Sequence, residues 1–145
     1  LGKRKQVKEH IKMFTKIRIE AQILKTGEMP LETERTRSLH YSLYNIRAFF
    51  GIAQYADKVG VDLWNYTTNH KSIKNALNYL IPYMIHPKNW PHKNLEGDIN
   101  IFLPNILAQA FYIYKDNKYL DAYQKVLKNP SKDYSSYTEK LIIPL

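Results

Sequence analysis

The 145-residue sequence contains no cysteine. This absence excludes a disulfide scaffold, a thiol nucleophile and a zinc-thiolate site. Glycine is scarce, with five residues, and no glycine-rich phosphate loop or hairpin dipeptide is found. No apolar run approaches the roughly 20 residues of a membrane-spanning helix, so we expect no membrane partner. The length suits one domain, residues 1–145, with a modest core.

Positive charge and tyrosine are the features in excess. The formal net charge is +9, and 12 residues are tyrosines. A basic excess attracts polyanions, which include nucleic acid, acidic polysaccharide and anionic lipid. Tyrosine combines a flat apolar ring with a hydroxyl, which suits contact with sugars or bases and equally a tyrosine-rich core. No nucleic-acid recognition motif is present, so we expect no nucleic-acid partner.

The periodicity of the apolar residues is helical almost throughout. In the first segment they recur every three or four positions, which predicts a helix that ends at Gly27 and Pro30. These positions are Val7, Ile11, Phe14, Ile17, Ala21 and Leu24. Lysines and arginines cover the rest of this helix, as either a solvated face or a polyanion-binding face.

Four further helices are predicted, at about residues 36–58, 70–85, 99–114 and 117–127. Thr33 or Thr36 is the expected N-cap of the second helix, and Gly60 its stop. Pro82 should end or kink the third helix. With no strand pair in evidence, the class is all-α, and the arrangement is a bundle, a solenoid or part of an α/α toroid.

The second predicted helix contains the run ETERTRSLHYSLYNIRAFFGIA, residues 32–53. At about 100° per residue, Arg37 and Tyr44 point almost the same way. Tyr41 lies about 40° to one side of Arg37 and His40 about 60° to the other. The apolar residues Leu39, Leu43, Ile46 and Phe50 fall on roughly the opposite side. The polar face therefore meets either solvent or a ligand in a cleft.

The residue types on this face suit proton transfer on a carboxylated substrate. Arginine binds a carboxylate through two parallel hydrogen bonds. A phenol beside a cation gives up its proton more readily, and an imidazole exchanges protons near neutral pH. Such groups can acidify a C–H bond next to a carboxylate and pass the proton to a leaving oxygen.

Several blocks of the sequence, in order, resemble the C-terminal half of the alginate lyase family. They are the arginine-rich helix start with its His-Tyr-Ser-Leu core, Val-Asp-Leu-Trp at 61–64, KSIKNALNYLIPYM and NWPHK, within roughly residues 8–115. The resemblance implies a partial α/α toroid built of antiparallel helical hairpins. It also implies a periplasmic or secreted enzyme that cleaves an acidic polysaccharide, alginate or a related polyuronate, by β-elimination without a metal or organic cofactor.

The resemblance also implies roles for particular residues. The family arrangement Thr-Arg-x-Leu-x-Tyr-x-x-Tyr matches residues 36–44, which assigns the arginine role to Arg37 and proton transfer to Tyr44. Tyr41 is the second candidate for proton transfer, and His40 departs from the family pattern. The family's carboxylate-neutralising Asn-Asn-His motif is not found, and its expected position is just before Leu1. We therefore expect the N-terminal half of the toroid as a partner and little activity from this chain alone.

Three further residues are candidates for substrate binding. Arg35 could face the polyanion, Asn45 adjoins the tyrosines, and Trp64 could stack on a sugar ring. The structural alternatives are a solvated or paired arginine and, for Trp64 as for Trp90, a packing anchor. The histidines are scattered without ligand spacing, so no metal site is predicted. The alternative function is a non-catalytic module that binds polyanions through the first helix.

Overall fold

The computed structural model describes residues 2–95 and 103–128. Its elements are α1 (Gly2–Phe14), a π-helical segment (Thr15–Glu20), α2 (Pro30–Thr33), α3 (Ser38–Lys58), α4 (Ile73–Ile85), a 3₁₀ turn (Pro87–Asn89), α5 (Leu103–Tyr114) and α6 (Asn117–Lys128). The described residues contain two isolated bridges and no strand. The all-α class is therefore confirmed, whereas the first residues of the predicted fourth helix and the C-terminal tail lie outside the described residues.

The first predicted helix is continuous in space but changes its winding. The chain is α-helical through Phe14 and then widens into the π-helical segment. The hydroxyl of Thr15 donates to the carbonyl oxygen of Ile11 at 2.8 Å, at the point where the winding changes. A side-chain hydroxyl that bonds to the preceding turn competes with the backbone hydrogen-bond ladder, which accounts for a change of winding at this residue.

The α3 helix starts two residues later than the sequence predicts, and its predicted cap is wrong. Thr33 lies buried in α2, where its hydroxyl donates to Glu28 Oε1 at 3.1 Å. The N–H of Leu39, in the first turn of α3, instead donates to Asn94 Oδ1 at 3.0 Å. The cap comes from a loop 55 residues away in sequence, so the local sequence does not reveal it.

The end of α3 and both ends of α4 follow local rules, whereas the first predicted helix ends at Gln22 and not at Gly27. Gly60 adopts a φ of +72° just after α3, and its N–H donates to the carbonyl of Asp57, as expected of a glycine stop. Ser72 caps α4 by accepting the N–H of Asn75 at 2.9 Å. Pro82 lies inside α4, which ends three residues later at Ile85. The helix therefore stops within one turn of the proline, in agreement with the prediction that Pro82 ends or kinks it.

The apolar face of α3 forms the centre of the core. Its buried residues include Leu39, Leu43, Ile46 and Phe50, which the periodicity places on the apolar side, and also Phe49. The helix packs against α1, α2, α4 and α5. α5 and α6 are joined by only Lys115 and Asp116 and form a helical hairpin. The core therefore fixes one side of α3 and leaves the opposite side for other contacts.

Candidate active site

Three ring side chains form a cluster on the exposed side of α3. The His40 ring stacks near the Tyr44 ring, with centroids 6.4 Å apart and planes 11° from parallel. It also meets the Tyr41 ring edge to face at 5.5 Å. Tyr44 is 55% exposed, whereas His40 and Tyr41 are half-buried. The predicted ionisable face is therefore a packed row of two phenols with an imidazole between them.

A guanidinium extends this row. The Cζ atom of Arg35 lies 3.4 Å from the centroid of the Tyr41 ring, and an Nη atom of Arg35 lies 3.5 Å from Glu32 Oε2. A cation on the face of a ring is attracted by its π electrons. Arg35 therefore places positive charge against one of the two tyrosines proposed for proton transfer.

Arg37 lies at the start of α3 and not within it. Its φ of −116° and ψ of 57° are non-helical, so a uniform helical rotation does not give its direction. Its carbonyl oxygen accepts the N–H of Tyr41 at 3.0 Å, which ties it to the first turn. The Nε atom of Arg37 is buried and has no hydrogen-bond partner among the described residues. A buried, unsatisfied guanidinium donor favours an anionic ligand.

The loop that contains Trp90 holds this end of α3. Besides the cap from Asn94, the N–H of Leu95 donates to the carbonyl of Thr36 at 2.8 Å. Arg37 and Asn94 form an isolated antiparallel bridge. Two segments far apart in sequence therefore fix the backbone on both sides of Arg37. Local periodicity does not indicate this docking, because its partners lie 55 or more residues apart in sequence.

A second polar cluster lies where this loop meets α4 and the segment just before α2. His92 Nε2 is 3.5 Å from Glu28 Oε1 and 3.2 Å from the hydroxyl of Tyr79. Burial, followed by the negative charge of Glu28, raises the pKa of Tyr79 to about 12. The cluster joins the loop to α4, and nothing in the periodicity of the sequence indicates it.

Two of the predicted substrate-binding residues have structural contacts. Trp64 is only 7% exposed, its indole N–H donates to Asp57 Oδ2 at 2.8 Å, and its ring packs on Phe50 from the core face of α3. These contacts are typical of a packing anchor, which is the structural alternative to sugar stacking that the sequence allows for Trp64. Asn45 is half-buried, with Nδ2 3.5 Å from the sulfur of Met29. Neither joins the row of Arg35, Tyr41, His40 and Tyr44 through any of these contacts.

The described residues contain neither a metal-binding cluster nor a membrane-spanning helix. No group of three histidines or acids there has the arrangement of a metal site. None of the helices in residues 2–95 and 103–128 combines the length and apolar character needed to cross a bilayer.

The comparison with protein families decides the relationship. The family model described as alginate lyase matches residues 1–90, which include α1, α3, α4 and every predicted site residue. The chain belongs to the alginate lyase family. A search of curated proteins finds no match for this family member.

The fold agrees with this membership. The crystal structure of an alginate lyase from Bacteroides ovatus superimposes with a TM-score of 0.76 at 28% sequence identity. The match covers 84% of this chain and 33% of the relative's chain. The helices of this alginate lyase family member are therefore part of an α/α toroid, and the chain spans about a third of the relative's length.

Proposed function

We propose that this chain carries the arginine- and tyrosine-bearing part of the active site of a polysaccharide lyase that acts on alginate or a related polyuronate. The observation that carries the proposal is the row of side chains at the start of α3. Arg35, which precedes the helix, lies over Tyr41, and His40 contacts both Tyr41 and Tyr44. The buried and unsatisfied Nε of Arg37 supports a carboxylate as the ligand.

The proposed reaction is a β-elimination. Arg37 neutralises the substrate carboxylate, which stabilises the charge that develops when the C5 proton leaves. Tyr44 takes that proton or returns it to the departing C4 oxygen, with Tyr41 as the alternative. The electron pair of the broken C–H bond forms the new C4–C5 double bond as the C4–O bond breaks, so no cofactor enters the balance.

We propose that the remaining groups come from other helices of the toroid. Asn-Asn-His is absent from the sequence, and the match spans only a third of the relative's chain. Supplied with those helices, the site would be complete, and this chain alone would have little activity. A periplasmic or secreted location would bring such an enzyme to its polysaccharide.

Tyr44→Phe in the full-length protein tests the proposal. The unsaturated product absorbs ultraviolet light, so its formation from alginate is followed directly. Losing the phenolic proton should lower kcat by about 10²–10⁴-fold, the usual contribution of one acid–base group. Tyr112→Phe is the matched control, because Tyr112 is an exposed tyrosine on α5, and it should leave the rate unchanged.

Two results would redirect the proposal. Full activity of Tyr44→Phe with loss of activity in Tyr41→Phe would move the proton transfer to Tyr41. Binding of alginate by the wild-type protein without any rise in absorbance would favour the non-catalytic polyanion-binding module, for which the lysine-rich surface of α1 is the candidate.

A further inference from the structure

A polar groove lies between α3 and α5, beyond the row of rings. It encloses about 210 Å³. Its lining residues are Arg47, Phe50, Gly51 and Gln54 from α3 and Asn105, Ile106 and Gln109 from α5. The volume is below the about 300–1,000 Å³ of pockets for drug-sized ligands, which suits one sugar unit.

The polar groups of this groove match the chemistry of a sugar acid. Three of them are carboxamides, which both donate and accept hydrogen bonds and therefore pair with hydroxyl groups. Gln54 Nε2 donates to Gln109 Oε1 at 3.3 Å, so the two helices meet through amides that bond to each other. Arg47 is the charged residue of the lining, which contains no acidic side chain. The groove therefore favours a neutral or anionic ligand over a cation.

Gly51 is the residue that opens the groove. It lies inside the 21-residue helix α3, where glycine is the least favourable residue after proline. The glycine at this position is not required by close packing against another element. A methyl group at Gly51 would meet no described heavy atom within 4 Å beyond its sequence neighbours and the nearby backbone of its own helix. The absent side chain therefore leaves space open to solvent and not space for another helix.

The position of Gly51 relates the groove to the proposed reaction. Gly51 follows Tyr44 by seven residues of the same helix, which is a separation of about 10 Å along the axis and about 20° around it. Arg47 lies between them, on the next turn after Tyr44. A pyranose unit is shorter than this separation, so a polymer that places one sugar at Tyr44 would place a unit further along the chain, and not the same one, over Gly51.

We propose that the Gly51 groove is a subsite that holds a uronate unit of the same polymer further along from the one being cleaved. This inference rests on the proposed function. The amides of Gln54 and Gln109 bind the hydroxyls of that unit, Arg47 attracts its carboxylate, and Gly51 leaves room for the ring. The subsite sets the affinity for longer substrates without taking part in bond breaking.

Gly51→Leu in the full-length protein fills the groove. The dissociation constant of an alginate oligosaccharide, measured by calorimetry in the Tyr44→Phe background to prevent turnover, should rise about tenfold, as expected for roughly one lost contact. In the otherwise wild-type enzyme, KM for polymeric alginate should rise by a similar factor with kcat nearly unchanged. The melting temperature should not fall, because leucine is the better helix former.

A control variant and a second test variant keep the inference falsifiable. Ala21→Leu adds the same side chain at an exposed alanine outside the groove and should leave the dissociation constant unchanged. Gln109→Ala removes an exposed amide of the lining and should weaken binding in the same direction as Gly51→Leu. It decides the matter if Gly51→Leu fails to fold.

The outcomes separate this inference from the proposed function. Unchanged oligosaccharide affinity in Gly51→Leu, or in Gln109→Ala where Gly51→Leu does not fold, overturns the subsite even if the wild-type protein is an active lyase. Weakened affinity in a protein that never forms the unsaturated product upholds the groove as a uronate-binding site and removes the lyase reaction.

Discussion

The indole N–H of Trp90 donates a hydrogen bond of 2.7 Å to the hydroxyl oxygen of Ser38, a residue 52 positions earlier in the chain. The Ser38 hydroxyl in turn donates to the carbonyl oxygen of Lys93 at 2.7 Å. Ser38 is completely buried and Trp90 is 9% exposed. One hydroxyl thus joins the first turn of α3 to the loop that caps it, directly beside Arg37.

Ser38→Ala should destabilise the protein by about 1–3 kcal/mol, because it leaves the indole N–H of Trp90 and the carbonyl of Lys93 without their buried partner. The free energy of unfolding in urea measures the effect. Ser42→Ala is the matched control on the same helix, since Ser42 is equally buried but its hydroxyl has no hydrogen-bond partner among the described residues. That control should be neutral or slightly stabilising, and equal losses in both variants would contradict the assignment.

Arg35→Gln should weaken alginate binding while leaving the fold nearly intact. The ion pair with Glu32 is exposed and the cation lies over one ring, so the free energy of unfolding should change by less than about 1 kcal/mol. Binding titrations at low and high salt check the affinity. Arg18→Gln is the control, because it removes the same charge from the π-helical segment, where Arg18 contacts Gln22. If both variants weaken binding equally, Arg35 acts only through net charge.

Gly27→Ala should destabilise the protein severely, by at least about 2 kcal/mol. Gly27 has a φ of +92°, and a Cβ atom there would collide with the carbonyl oxygen of Asn75 and lie 2.9 Å from Cβ of Tyr79. Neither the φ angle of Gly27 nor the backbone of α4 can change without a large cost in free energy. Thermal unfolding measures the loss. Gly51→Ala is the counterpart, expected to stabilise by about 0.5–1 kcal/mol because that glycine is helical and uncrowded.

Stability should decline in alkaline solution between about pH 10 and about pH 12. Burial, followed by the charge of Glu28, raises the pKa of Tyr79 from 10.0 to about 12. Burial likewise holds the pKa of Tyr114 and of Tyr119 well above the usual range. Above pH 10 the unfolded chain therefore loses phenolic protons that the folded chain retains, and each ionisation favours unfolding. The contribution is complete below pH 10.

Urea unfolding at a series of alkaline pH values checks this prediction. Tyr79→Phe removes one titrating group and should make the decline shallower, although it also removes the hydrogen bond to His92 and lowers stability at neutral pH. A slope identical to that of the wild-type protein would show that Tyr79 does not contribute.

Short-range patterns were sufficient for most of the helices. The apolar periodicity predicts α3 to within two residues at its start and matches its end at Lys58, and it gives α6 to within one residue. These agreements arise because one face of each helix must be buried and because Gly60 acts on the residues immediately before it. The same pattern places His40, Tyr41 and Tyr44 on the face of α3 opposite the core.

The remaining features depend on packing between segments that are far apart in sequence. Asn94 and not a threonine caps α3, Arg37 lies outside the helix on which a uniform rotation had placed it, and Trp64 faces the core. The Gly51 groove exists only because α5 lies across α3. The partners that cap α3 and meet across the groove lie 55 residues apart in sequence, and the carbonyl of Trp64 accepts the hydroxyl of Tyr114, 50 residues away. The contribution of each such partner depends on how two elements meet and not on the spacing of residues within either one.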